Sequence, residues 1–135
     1  MIQAQIHRDL GSETLSEGEA KVFGGEALID TGAPSVFIEQ SVAAALNLKQ
    51  VNSSEIQTAG GKVGVLVYSG VLEVPALGFK ERMLLQDRKA KICYSIVLGR
   101  SFLSRYHIFI DGPKNLLTFS QPPEGLRLVE AEHDG

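Results

Sequence analysis

Asp30 follows the apolar triplet Ala27-Leu28-Ile29 and is itself followed by Thr31-Gly32-Ala33. A charged group at the end of a buried apolar strand is costly unless its surroundings support it. The chemistry that uses such a group is hydrolysis by a pair of carboxylates. Two of them held about 3 Å apart cannot both ionise, so the pair shares one proton. The ionised member takes a proton from water as the water attacks a peptide carbonyl, and the protonated member polarises the carbonyl oxygen. Gly32 would let backbone N–H groups approach and orient the carboxylates. The Thr31 hydroxyl would lock the loop by hydrogen bonding across to a partner chain. The same tripeptide also reads as a plain turn, with Asp30 capping Gly32 or the next helix. The chain holds Asp-Thr-Gly once, so a shared pair requires a homodimer closed by a two-fold axis.

Other chemistries find less support. His7, His107 and His133 lie far apart, and no Cys or His cluster has metal-ligand spacing. No metal or other cofactor is expected. Cys93, between Ile92 and Tyr94, reads as a small buried hydrophobe with no histidine near it in sequence. Asp111-Gly112-Pro113 reads as a turn rather than a second catalytic acid. Phe102, Tyr106 and Phe109 read as core.

The elements around Asp30 must hold it. The chain has 135 residues, of which 44% are hydrophobic and 21% charged. That suits one globular domain over residues 1–135, with its core at about residues 20–120 and a polar tail over residues 121–135. The net charge of −3 comes with no basic stripe, so nucleic acid is not an expected partner. No apolar run approaches a membrane span, and residues 1–10 carry no signal-peptide pattern. A single cysteine excludes an intrachain disulfide and suits a reducing cytoplasm.

Ile2, Ala4 and Ile6 alternate with polar residues as in a half-buried strand. Residues 11–18 are turn-like. Residues 20–23 read as a short strand, Gly24-Gly25 as a hairpin turn, and Ala27-Leu28-Ile29 as a strand buried on both faces. Residues 39–48 are the main helix, led in by Pro34-Ser35 and ended by Asn47. Residues 55–58 and 62–67 are strands joined around Gly60-Gly61. Further strands fall at residues 71–74, 81–85, 107–110 and 116–119. Residues 92–98 form an apolar run ending at Gly99, and residues 101–106 a short helix. Many short strands with few helical turns predict an all-β, barrel-like fold.

Three separated stretches now align with one family. Ala27-Leu28-Ile29-Asp30-Thr31-Gly32-Ala33 is the first. The second is Ile96-Val97-Leu98-Gly99-Arg100-Ser101-Phe102-Leu103. The third is Ile108-Phe109-Ile110-Asp111 with Leu116-Leu117-Thr118-Phe119. In these the chain resembles the retropepsin-like aspartic proteases, over about residues 20–120 and in the right order. The resemblance implies a closed all-β acid-protease barrel with one main short helix and an active site at a homodimer two-fold axis. It implies an aspartic endopeptidase acting on polypeptide held in extended form. Asp30 would be the catalytic aspartate, with Thr31 and Gly32 completing its loop and Ala33 beside the substrate. Ala59, Gly60, Gly61 and Lys62 would lie at or near a flap tip over the substrate. Leu98 and Gly99 would support the active-site loop from beneath, with Arg100 as structural support.

The chain departs from the viral pattern at three places. Pro34-Ser35 stands where two acidic residues often follow, so Arg100 lacks the acidic partner it would have there. Ser101 replaces the usual Asn or Asp after that arginine. The flap is less glycine-rich. A second reading is a dimeric peptide-binding or regulatory module that keeps the fold without turnover. An autoprocessing domain cut from a longer precursor is a third.

Overall fold

A computed structural model describes residues 1–8, 22–88 and 94–121. It divides into two compact units, Met1–Leu103 and Ser104–Gly135. The expected turn at residues 11–18, Cys93 and the polar tail beyond residue 121 lie outside the described residues.

Among its described residues the first unit contains seven strands: β1 (Ile2–Arg8), β2 (Val22–Ile29), β3 (Val36–Glu39), β4 (Lys49–Thr58), β5 (Gly61–Val74), β6 (Phe79–Arg88) and β7 (Ile96–Leu98). Its helices are short: α1 (Gln40–Ala45), α2 (Arg100–Leu103) and a single 3₁₀ turn at Pro75–Leu77. The strands are bonded in the order β1-β2-β7-β3-β6-β5-β4, and β1 also pairs with β5. Six strands therefore close into a barrel, with β4 attached to β5 outside the ring. The all-β closed barrel expected from the sequence is the fold observed. Closure removes most of the open sheet edge.

The barrel interior follows from alternation. Ala4 and Ile6 of β1, Leu72 and Val74 of β5, and Leu85 of β6 are at most 1% exposed. Val36 and Ile38 of β3, Ile96 and Leu98 of β7, and Phe102 of α2 are fully buried. The Phe102 ring meets Phe79 edge-on at 4.9 Å. Burying side chains of this size contributes about 1.5–3 kcal/mol each.

Several local expectations change. Gly24 and Gly25 do not turn: β2 runs straight through them, paired with Gln5 and Ala4 of β1. The pull of a whole partner strand overrides the turn tendency of two glycines. Leu28 and Ile29 are half-buried rather than buried on both faces. The main helix is six residues, Gln40–Ala45, and not residues 39–48. Val36-Phe37-Ile38 before it forms β3, clasped between β6 and β7. Asn47 does end the helical stretch, in the left-handed region at φ 50°.

Among its described residues the second unit holds one hairpin, β8 (His107–Asp111) with β9 (Leu116–Ser120). The Lys114 N–H donates to Asp111 Oδ1 at 3.2 Å, so Asp111 is the turn residue expected. Phe109 is 65% exposed and so is not the core residue the sequence suggests. Ile110, Leu116 and Leu117 are exposed with it.

Candidate active site

The Asp30 loop is built at the end of a parallel pair. β2 lies beside β7 with Ala27, Leu28 and Ile29 opposite Ile96, Val97 and Leu98. One step further the Asp30 N–H donates to the Leu98 carbonyl at 3.1 Å. The pairing ends there and the chain turns. The Ala33 N–H donates to the Asp30 carbonyl at 3.2 Å, closing the loop. The Gly32 N–H donates to Asp30 Oδ1 at 2.9 Å. The turn reading of Asp-Thr-Gly is therefore correct in geometry, and the same bond orients one carboxylate oxygen. Asp30 is half-buried, while Thr31 and Gly32 are exposed. The carboxylate is thus held by its own loop and still reachable.

A second layer grips the loop from below. Ala33 is buried against Phe37 and Val97, with Leu28 packed on the same cluster. The Arg100 N–H donates to the Ala33 carbonyl at 2.8 Å and the Ser101 N–H to the Pro34 carbonyl at 3.1 Å. The first turn of α2 thus uses its free N–H groups on the loop. Gly99 is where the two layers touch. A Cβ there would lie 2.6 Å from the Ala33 carbonyl oxygen and closer still to that of Ser35. Only glycine fits.

The absent acidic partner of Arg100 is replaced by backbone. Arg100 Nη1 donates to the carbonyl oxygens of Thr31 at 3.0 Å and Gly32 at 3.3 Å. A guanidinium presents several donors in a fixed fork and can serve two carbonyls from one nitrogen. Asp30, Thr31, Gly32, Ala33, Leu98, Gly99 and Arg100 are therefore brought together.

Ala59, Gly60, Gly61 and Lys62 form a separate group at the tip of the β4–β5 hairpin. Thr58 pairs with Gly61, leaving Ala59-Gly60 as a two-residue loop. Gly61 has φ 115°, a conformation that L side chains rarely adopt. β6 pairs with β5 only from Val67 onward. Beyond that point residues 53–58 and 61–66 are bonded to each other. Val65 is still buried, while residues 62–64 and the tip residues Ala59 and Gly60 are exposed, so the outer part of the hairpin projects.

Sequence reasoning missed Asp87, which is fully buried in β6. Its signal was positional: Met83, Leu85 and Asp87 occupy successive inward places on one strand. Its Oδ1 accepts from the Leu66 N–H at 2.9 Å. Burial, and then the charge of Asp87, push the Tyr68 hydroxyl above the usual tyrosine value.

A search of curated proteins finds no match to the chain. A family model described as gag-polyprotein putative aspartyl protease matches residues 22–105, from the start of β2 to just past α2, more than half of the chain. The matched span includes the Asp30 loop, the projecting hairpin and the Leu98-Gly99-Arg100 support. The chain belongs to this retropepsin-like family of gag-polyprotein aspartyl proteases.

Proposed function

We propose that the protein is an aspartic endopeptidase that works as a homodimer, with the two Asp30 carboxylates forming one catalytic pair. The observation that carries this reading is the Asp30 loop. Its carboxylate is oriented by the Gly32 N–H, half-exposed, and braced by Gly99 and Arg100. Only one such loop comes from each chain. Across a two-fold axis the pair holds one proton between them. The ionised Asp30 accepts a proton from water as it adds to the scissile carbonyl. The protonated Asp30 donates a hydrogen bond to that carbonyl oxygen, and the pair then passes a proton to the leaving amine. Thr31 reaches across to the partner loop.

The substrate is a polypeptide in extended form, gripped as an added strand beneath Ala59, Gly60, Gly61 and Lys62, with Ala33 at its side. Support for the dimer comes from the β8–β9 hairpin. Phe109 and Leu116 are exposed on one face, Ile110 and Leu117 on the other. A lone two-stranded hairpin with apolar residues open on both faces is marginal in water. Strands from a second copy of this chain would extend and cover it. The proposed setting is a reducing cytoplasm, with no cofactor, nucleic acid or membrane taking part.

The test compares wild type with Asp30→Asn on an unstructured protein substrate from pH 3 to pH 8. The variant should be folded, dimeric and inactive, because an amide cannot act as the base. Equal cleavage by both would refute the assignment. Cleavage by neither, with no aspartic-protease inhibitor shifting the melting temperature, would favour the peptide-binding module.

A further inference from the structure

We infer that Asp87 is a latch at the base of the projecting β4–β5 hairpin, a positioning residue that sets where the hairpin stands. The β5–β6 register runs Tyr68 opposite Leu85 and Val67 opposite Gln86. The next rung would set Leu66 opposite Asp87, but the ladder stops there. The Leu66 N–H instead donates to the Asp87 side chain, at 2.9 Å from Oδ1. A side chain thus takes the place of a backbone rung where β5 parts from β6. A backbone rung moves only if β6 moves, and β6 is held on its other side by β3, with Ile38 opposite Asp87. A carboxylate on two rotatable bonds can follow the hairpin while its own backbone stays fixed.

The second oxygen points to the same role. Asp87 is fully buried, and Oδ2 has no hydrogen-bond partner among the described residues. The neighbouring Gln86 Oε1 is likewise buried without one. Buried acceptors left bare are rare in folded proteins. Gln86 faces the other side of the sheet, so it is the bare Oδ2 of Asp87 that leaves capacity for a second donor at the root of this hairpin. The latch holds Leu66 through Oδ1 and keeps Oδ2 open to a further donor. Asp87 is fully buried and shares the inward face of β6 with Leu85, the residue opposite the buried Tyr68, so its carboxylate lies beside the inward face of β5. Burial and then the Asp87 charge raise the Tyr68 hydroxyl above its usual value.

The link to catalysis rests on the proposed function, in which this hairpin grips the substrate. The latch itself is tested without activity. Amide hydrogen exchange by NMR is measured on the full chain as wild type, Asp87→Leu and Asp87→Asn. Leucine fills the space and removes the acceptor, whereas asparagine keeps a carbonyl oxygen. In Asp87→Leu the amides of Leu66 and the rest of residues 53–66 should exchange about ten- to hundredfold faster. Those of Leu72 and Leu98 should not change, and Asp87→Asn should stay near wild type. Unchanged hairpin exchange, or equal acceleration throughout the barrel, overturns the inference. If Asp87→Leu does not fold, wild type decides. Leu66 must then exchange in the same partial opening as the hairpin, before Leu72, and exchange only on global unfolding overturns the latch. On a peptide substrate Asp87→Leu should raise KM while kcat holds. If no variant or wild type cleaves, the catalytic reading fails and the exchange data still judge the latch.

Discussion

An alanine at position 99 would put its Cβ 2.6 Å from the Ala33 carbonyl oxygen and nearer still to that of Ser35. Ordinary contact begins about 1 Å further out. The Ala33 oxygen is not free to yield. The Ala33 carbonyl already accepts from the Arg100 N–H at 2.8 Å, and Ala33 is packed against Phe37 and Val97. The strain must therefore move the loop or α2. Overpacking of this kind costs about 1–3 kcal/mol. For a chain of this length that is a fall of about 4–12 °C in melting temperature. The loop that moves carries Asp30, and a displacement of about 1 Å in a catalytic group costs on the order of a hundredfold in rate. Gly64→Ala is the control, because a Cβ there meets nothing within 4 Å. Its melting temperature should match wild type within small changes. The assay is thermal unfolding beside peptide cleavage. If Gly99→Ala unfolds at the wild-type temperature and cleaves at the wild-type rate, the contact between Gly99 and the loop does not brace Asp30.

Phe102→Ala should lose about 3–5 kcal/mol in denaturant unfolding, because the ring is fully buried and its edge contact with Phe79 goes with it. Tyr68 should titrate by ultraviolet absorbance above the usual tyrosine value of about 10. Its contribution to stability is then complete below about pH 10 and is lost as pH rises through the folded value. Asp87→Asn removes the charge but leaves burial, so the Tyr68 titration should fall part of the way back. The double change Phe109→Ser with Leu116→Ser removes two exposed apolar groups from one face of the β8–β9 hairpin. It should weaken dimerisation in sedimentation without lowering the stability of the barrel.

Much of the site was legible because its signals are local. An apolar triplet running into Asp-Thr-Gly marks a strand end, and the strands read at residues 62–67 and 71–74 fall within β5 of the barrel wall. Gly60-Gly61 marked the hairpin tip, where Gly61 indeed takes a positive φ. The misreadings arose where distant pairing overrides local preference. Gly24-Gly25 has every freedom to turn, yet the pairing with Gln5 and Ala4 draws it straight. The alanine run 43–45 suggested a helix reaching residue 48, but Asn47 takes a left-handed conformation at φ 50° and Lys49 is already drawn into pairing with Ser69. The partners of Arg100 could not be read from side-chain types at all, since they are the carbonyls of Thr31 and Gly32. Phe109 looked like core because aromatic residues in strands are usually buried, whereas its hairpin leaves it open. Asp87 escaped notice because a lone acid in a strand usually faces water.

The central claim is that two chains each lend one Asp30 to a single catalytic pair. Wild type refolded together with a threefold excess of Asp30→Asn chains, with peptide cleavage measured per wild-type chain, tests it most directly. Random pairing leaves about a quarter of wild-type chains beside a wild-type partner. Cleavage per wild-type chain should therefore fall to about a quarter of its value alone. Activity that stays at the full wild-type level in the mixture, with heterodimers shown to form, would contradict the account.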